Sequence, residues 1–427
     1  MSDVPNERSL SQWLQYIEAL HPSEIDMGLG RVREVAERMA LPEQLSQRKI
    51  VTIAGTNGKG SCVASLEALF KAYNDGSEAS KNICYGSYTS PHFIAYNERI
   101  RLNGEDANDA VICQAFSKIE AAREEISLSY FEFATLAALQ VFVLAGCDYI
   151  VLEVGLGGRL DAVNIIDADV AVVTSIALDH QDWLGSDLEQ IAREKAGIFR
   201  AEKIAISASA EMPNGVAETA RQLGAKHWQV QQDYSYRLEN GRLHLRLAAQ
   251  QLDIAKPGLP IPSVAAAALV VDLLGLWPGD EAFAEALSKV QLTGRCQRIS
   301  WQGRELVLDV AHNPAASAHL RAQLEDTRSD FLLLAAMADK DLAGIIQPWV
   351  GSVKQAFCCD LPDTPRAATS ELLYSQLQAA GITSQAFADF DAAFTQALNC
   401  SEEEDRIIIM GSFFTVAAAL RYLTAIK

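Results

Sequence analysis

No Cys-x-x-Cys pair occurs in this sequence: its 8 cysteines are scattered at positions 62, 84, 113, 147, 296, 358, 359 and 400. That rules against a zinc ribbon or a dithiol redox motif and fits a reduced cytosol. Basic charge is also short. Lys and Arg number 36 against 55 Asp and Glu, a net charge of −19, which disfavours nucleic acid and anionic membranes as partners. Long hydrophobic runs are missing too. The longest apolar helical stretches, near Phe133 to Cys147 and Val264 to Trp277, are interrupted by Gln140 and Asp272 and are too short to span a bilayer. The first residues, MSDVPNERSL, carry no signal-peptide core, and no internal repeat stands out. These absences predict a cytoplasmic protein. On so acidic a surface, an anionic substrate must be met by local basic groups, so each well-placed Lys or Arg carries weight.

What is present is core-forming material: 427 residues with 49% hydrophobic content, enough for two or three domains. The most informative stretch is IVTIAGTNGKGSCVASLEALF, Ile50 to Phe70. An apolar β-branched run, Ile50 to Ile53, leads into Gly55-Thr56-Asn57-Gly58-Lys59-Gly60-Ser61, and helical apolar spacing follows. Strand, glycine-rich turn and helix N-terminus form a cradle for phosphate, with backbone N–H groups pointing outward and Lys59 supplying positive charge. The usual pattern places Ser or Thr directly after the lysine. Here Gly60 intervenes, and Ile53 stands where the first glycine belongs, so this is a variant phosphate loop for ATP or GTP.

Read in order, residues 9–20 and 31–40 are helical, joined by the loop HPSEIDMGLG. KAYNDGSEASK, residues 71–81, reads as a polar loop before a strand from Asn82 to Tyr88. Residues 107–126 and 130–145 are helical. Tyr149 to Val154 and Val170 to Ile176 are continuous apolar runs, as for strands buried on both faces of a parallel sheet. Ser186 and Glu189 form a capping box opening a helix through Ala196, and Lys203 to Ser207 is a strand. Tyr234 to Glu239 and Arg242 to Leu247 alternate around Asn240-Gly241 as a β-hairpin. A helix begins near Ser263. From about Gly294 the strand and helix alternation restarts, with strands at Glu305 to Asp309, Phe331 to Ala335, Ala356 to Cys359 and Ile407 to Met410. The expected fold class is α/β: a phosphate-loop, mostly parallel-sheet ATPase domain with a helical prologue over residues 1–292, and a smaller Rossmann-like α/β domain over residues 293–427. Leu292 to Arg295 is the candidate hinge.

Ligands of open α/β sheets sit beyond the C-terminal ends of the strands. Polar groups follow four strand ends in the first domain: Lys59 and Ser61, Thr89 and Ser90, Glu153, and Asp179 with His180. If these strands are neighbours, the groups share one rim. Magnesium with ATP takes hard oxygen ligands, for which Ser90 and Glu153 offer a hydroxyl and a carboxylate. His180 reads equally as a metal ligand or as a structural histidine at a strand end, and Asp179 as a water-mediated ligand. Lys195 reads from spacing alone as a solvated helix lysine. The glycines of Glu153 to Asp161 do not open a helix as a dinucleotide fingerprint must, and read as a loop whose backbone approaches a ligand. In the second domain, Asp309-Val310-Ala311-His312-Asn313-Pro314 follows a strand. It reads as an Asn-capped helix start or as a second set of polar groups facing a cleft. Gly411 to Phe413 is a weaker member of that set.

The motifs GTNGKGS, TSPH, YFEFATLAA, EVGLGGRLDAVN, VTSIALDHQDWLG, REKAGI, TGRCQ, DVAHNP and GSF occur in this order. With them the chain resembles, over nearly its whole length, the bifunctional dihydrofolate synthase/folylpolyglutamate synthase family of the Mur ligase superfamily. The resemblance implies a ligase in which ATP phosphorylates the carboxylate of dihydropteroate or of a reduced folate's terminal glutamate. The amino group of L-glutamate then displaces phosphate. It implies ATP contacts at Thr56, Asn57, Gly58, Lys59, Gly60, Ser61, Ser263, Arg295, Asp309 and His312. Magnesium ligands are implied at Ser90, Glu153 and His180, with Lys195 joining as a CO2-derived carbamate, and pterin contacts at Asp26, Met27, Gly28, Leu29, Phe131, Leu160, Asp161 and Ala162. Lys59, His180 and Lys195 are the implied catalytic residues. Two magnesium ions, a potassium ion and a monomeric state are also implied.

The chain departs from that pattern in places. Ser263 stands where the family usually has Asn, which predicts a weaker or water-bridged ATP contact. Thr293 replaces the usual hinge Pro and Cys296 the usual Phe, and the 71–81 loop is longer than is typical. The competing readings are a peptidoglycan Mur ligase, a monofunctional folylpolyglutamate synthase and a nucleotide-dependent switch. About 50 residues before the phosphate loop are too few for the UDP-binding domain of the first. Intact Glu153, His180, Lys195 and Asp309 argue against the last.

Overall fold

The computed structural model of the chain describes residues 8–21, 26–76, 81–324 and 330–425. Two compact units divide it, Met1–Val290 and Gln291–Lys427.

The first unit opens with helices α1 (Leu10–Glu18), α2 (Gly30–Arg38) and α3 (Leu41–Leu45). α1 starts on a reciprocal cap, Ser9 Oγ accepting from Gln12 N while Ser9 N donates to Gln12 Oε1, and buries Trp13 and Ile17 at i, i+4 spacing. Eight strands then build one sheet: β1 (Lys49–Ala54), β2 (Tyr85–Tyr88), β3 (Ile100–Leu102), β4 (Glu105–Asp106), β5 (Tyr149–Glu153), β6 (Val170–Val173), β7 (Ile204–Ser207) and β8 (Lys226–Gln229). Their order is β4-β3-β2-β5-β1-β6-β7-β8. The pairings from β2 to β8 are parallel, while β3 and β4 add antiparallel edge strands. β1 therefore lies between β5 and β6, with β2 beyond β5, and the four strand ends singled out in the sequence are neighbours.

Helices α4 (Lys59–Gly76), α5 (Asp109–Arg123), α6 (Tyr130–Ala145), α7 (Gln181–Leu184), α8 (Leu188–Ala196), α9 (Asn214–Leu223), α10 (Ile261–Leu273) and α11 (Asp280–Lys289) complete this scaffold. α6 is buried along most of its length and ends at Gly146 in the left-handed region, the usual stop for a helix whose last carbonyls need partners. A separate antiparallel sheet runs β11 (Gln251–Ala255), β10 (Arg242–Arg246), β9 (Ser235–Glu239). Its turn is Asn240-Gly241, both with positive φ, as a two-residue hairpin requires.

The second unit holds β12 (Gln297–Trp301), β13 (Arg304–Asp309), β14 (Asp330–Leu334), β15 (Val353–Cys359), β16 (Ser384–Phe387) and β17 (Arg406–Met410). Their order is β12-β13-β17-β14-β15-β16; all pairs are parallel but β12 with β13. At the start of β17 the fully buried Arg406 grips the Asp330 carboxylate through Nε at 2.7 Å and Nη2 at 2.8 Å.

Several sequence expectations need correction. The 71–81 loop is helical as far as Gly76, because the buried Phe70 and Ala72 hold this end of α4 to the core and carry it through the weaker helix formers Asn74 and Asp75; residues 77–80 lie outside those described. The strand expected from Asn82 begins at Tyr85. The cap of α8 is Asp187, not Ser186: its carboxylate accepts from the amides of Glu189 and Gln190, and its charge complements the helix dipole. The hairpin gains β11 as a third strand, with Leu252 and Ile254 alternating inward.

Candidate active site

β1 is a buried strand that delivers its chain to Gly55 at φ +148. A Cβ there would stand 1.9 Å from Thr174 Oγ1, so only glycine fits beside the end of β6. The loop is then clamped to the segment after β6. Thr56 N donates to the Ser175 carbonyl at 2.8 Å, Asn57 N to Ser175 Oγ at 3.0 Å, and Thr174 Oγ1 to the Asn57 carbonyl at 2.7 Å. Thr56 Oγ1 exchanges bonds with the carbonyl and amide of Ala177. From α10, the buried Ser263 donates its hydroxyl to the Gly58 carbonyl at 2.9 Å. Ser263 thus braces the phosphate loop from its far side.

Lys59 opens α4 and curls back, Nζ donating to the carbonyls of Gly55 at 3.0 Å and Thr56 at 3.4 Å. Gly60 and Ser61 follow in the first turn. Ser61 Oγ is enclosed and has no hydrogen-bond partner among the described residues, a state that costs roughly 1–3 kcal/mol unless something supplies one.

Lys195, on α8, is buried, and the solvated-lysine expectation is wrong. Its Nζ donates to the same Gly55 carbonyl at 3.2 Å. Burial first, and then the charge of Lys59, bring its ammonium down to about 7, against the opposing pull of Asp179, Asp161 and Glu194. α8 reaches this position because Gly158 lets its backbone come close: a Cβ on Gly158 would meet the carbonyl oxygens of Lys195 and Glu194 at 2.8 and 2.9 Å. The glycine loop after β5 thus admits protein backbone. At Gly155 the neighbour is the Phe131 ring.

The structure brings Ser90 and Glu153 together, Ser90 N donating to Glu153 Oε2 at 3.3 Å. His180 adopts φ +51, a left-handed conformation uncommon for a side-chain-bearing residue and concentrated at functional sites. Its backbone N donates to Asp179 Oδ1 at 2.9 Å. Among the described residues no three His, Cys, Asp or Glu side chains stand together as a metal site. Glu153 and His180 are too few to fill a metal's coordination shell by themselves, so a metal ligated by them would also need hydroxyl, water or phosphate oxygens, which suits a hard cation. The enclosed Ser61 hydroxyl and the Lys59 ammonium suit phosphate.

The expected pterin positions lie on three segments. Asp161 accepts from the amides of Leu156 at 2.8 Å and Val163 at 3.0 Å, and burial pushes its carboxyl up to about 6. Ala162 beside it is buried and Leu160 half-buried. Phe131, in the first turn of α6, packs its ring 5.9 Å from that of Tyr88. Asp26, Met27, Gly28 and Leu29 are half-buried, and Asp26 Oδ2 is paired with Arg31 at 2.7 Å.

In the second unit Asp309 closes the turn after β13, accepting from Cys296 N and Ala311 N, both at 2.7 Å. Desolvation raises its carboxyl while Arg295 pulls the other way. The Arg295 guanidinium lies 5.3 Å from the Phe413 ring centre. His312 Nδ1 bonds the Val310 carbonyl at 2.8 Å, which puts the neutral ring's proton on Nδ1. Asn313 caps the following helix. Sequence reading missed the clamp made by Thr174 and Ser175, whose signal was two hydroxyl residues ending an apolar strand.

Comparison with known proteins matches residues 53–258 to the Mur ligase middle domain and residues 294–413 to the Mur ligase glutamate ligase domain. The dihydrofolate synthase/folylpolyglutamate synthase of Escherichia coli K12 is 39% identical over 420 residues, covering 97% of this chain and 96% of the relative. That of Haemophilus influenzae is 32% identical, covering 96% of each. Among solved structures, E. coli FolC in complex with DHPP and ADP aligns with a TM-score of 0.91 at 38% identity over 98% of both chains. A bifunctional folylpolyglutamate synthase/dihydrofolate synthase with Mn, AMPPNP and L-glutamate bound aligns at 0.88 and 40% identity, again over 98% of both.

Proposed function

The chain belongs to the dihydrofolate synthase/folylpolyglutamate synthase family of Mur ligases, and on that premise we propose that it joins L-glutamate to dihydropteroate and to the terminal glutamate of reduced folates, with ATP as phosphoryl donor. The observation that carries this reading is the end-to-end likeness to the structure holding DHPP and ADP.

The acceptor carboxylate attacks the terminal phosphorus of ATP, giving an acyl phosphate and ADP. The glutamate amine then adds to the acyl carbon, and phosphate leaves with the C–O bond electrons. Little covalent chemistry falls to the protein, so its work is positioning and charge neutralisation. Thr56 to Ser61 hold the phosphates: Lys59 offsets their charge, and Ser61 Oγ gains the partner it lacks. Ser263 keeps the loop in shape. Arg295, Asp309 and His312 serve the nucleotide. Ser90, Glu153 and His180, with Lys195 as its carbamate, would hold a divalent metal, which when bound neutralises phosphate oxygens and orients them. Phe131, Asp26 to Leu29 and Leu160 to Ala162 take the pterin.

A carbamate on Lys195 is part of the proposal. A buried amine lowered to about 7 is substantially neutral near neutral pH, so its lone pair can add to CO2 with release of one proton. A second metal ion, a potassium ion and a monomer also belong to the proposal, as does a cytoplasmic protein without nucleic-acid or membrane partners. In support of the last, no helix among the described residues is long and apolar enough to cross a membrane.

The test supplies the purified protein with Mg-ATP, L-glutamate and either dihydropteroate or a UDP-muramyl peptide. Phosphate release with the pteroate alone is expected. Release with the muramyl peptide alone sinks the reading in favour of a peptidoglycan ligase.

A further inference from the structure

The proposed pterin loop, Asp26 to Leu29, runs straight into α2, whose N-cap Leu29 offers no side-chain cap. Something else has to fix the loop, and the structure shows what does. Arg31 Nη1 pairs with Asp26 Oδ2 at 2.7 Å. Its Nη2 donates to both carboxylate oxygens of Glu132, at 3.2 and 3.3 Å. Glu132 is buried and its carboxylate also accepts from Ser129 N at 2.8 Å, closing the cap of α6. A second strap runs in parallel: His21 Nε2 meets Asp26 Oδ2 at 3.2 Å, and Nδ1 meets Ser127 Oγ at 2.7 Å. Both straps end on residues 127–132, the segment that carries Phe131 into the first turn of α6.

We infer that Arg31 is a positioning residue for the acceptor substrate: it locks the Asp26 to Leu29 loop to the Phe131 turn so that both stand ready for the pterin. The inference rests on the pterin reading of those two segments. A planar guanidinium suits the task because it can hold two carboxylates at once in fixed directions. Without it, Asp26 keeps, among the described residues, His21 alone, and the buried Glu132 loses the Arg31 cation. The loop then samples more positions, and acceptor binding must bear the cost of ordering it. The phosphate loop shares none of these bonds, so nucleotide affinity stays as it was.

The experiment uses full-length protein with Arg31→Gln, Arg31→Lys and, as control, Arg33→Gln, an exposed arginine on the same helix. Calorimetry reads dihydropteroate binding, steady-state kinetics read KM for ATP, and thermal melts report folding. Arg31→Gln is expected to weaken dihydropteroate binding about tenfold or more while KM for ATP stays within about twofold. Arg31→Lys, a point charge that reaches one carboxylate at a time, falls between, and Arg33→Gln matches wild type. If Arg31→Gln does not fold, the selective, partial loss in Arg31→Lys carries the test. Dihydropteroate binding unchanged in the folded variants, or a loss that strikes ATP equally, overturns the inference and leaves the functional reading standing. Wild-type protein that binds no pteroate overturns both.

Discussion

Lys59 and Lys195 direct their ammonium groups at a single oxygen, the carbonyl of Gly55, at 3.0 and 3.2 Å. Like charges so close and so enclosed repel, and their repulsion adds to burial in lowering Lys195. The arrangement is poor for stability by itself. The proposed carbamate on Lys195 replaces that repulsion with attraction to the Lys59 ammonium.

The first prediction concerns Lys195. Lys195→Ala removes a buried group next to the phosphate loop and is expected to slow acceptor-dependent ADP release by about a hundredfold or more. Lys256→Ala, at an exposed site, serves as the control and should change it less than about twofold. Equal rates for the two variants would return Lys195 to a bystander's role.

A second prediction follows from Asp161, whose carboxyl stands at about 6 in the folded protein against an ordinary 3.8. The folded state binds this proton more tightly than the unfolded chain does. Its contribution is favourable below 3.8 and disappears as pH rises through 6, leaving a buried carboxylate as a cost. The shift corresponds to about 3 kcal/mol. Urea melts of wild type and Asp161→Asn compared at about pH 4 and about pH 7 should show wild type losing roughly this much relative to the variant as pH rises. A difference that stays flat with pH speaks against the burial argument.

The third prediction tests the second unit. Arg406 and Asp330 are both buried and bonded to each other through two contacts. Arg406→Met strands the carboxylate and is expected to cost about 3–5 kcal/mol, much of which the double variant with Asp330→Leu should recover. Chemical denaturation measures both. A double variant less stable than the single one would show that the pair does more than satisfy itself.

The strand, glycine turn and helix from Ile50 to Phe70 were legible in the sequence, because an apolar β-branched run followed by clustered glycines and helical spacing allows few other arrangements. The buried strands were legible as well, since continuous apolar runs mark strands covered on both faces. Lys195 was not. Arg-Glu-Lys-Ala-Gly has the look of a solvated helix face, and its burial depends on Gly158 and on a carbonyl 140 residues away. Arg31 was equally hidden, because its two partners sit 5 positions before it and 101 after it. Short edge elements such as β4, β8 and β16 were missed where polar or mixed residues blurred the alternation. The cap of α8 was misplaced by one residue because Ser186 and Asp187 are both competent caps, and only geometry decides between them.

Bifunctional ligase chemistry is tested head-on by a side-by-side assay of purified protein with Mg-ATP and L-glutamate, offered dihydropteroate or tetrahydrofolate, with products weighed by mass spectrometry. Each acceptor is expected to gain a glutamyl residue, with one ADP released per amide formed. Extension of tetrahydrofolate alone, or of neither, would contradict that chemistry.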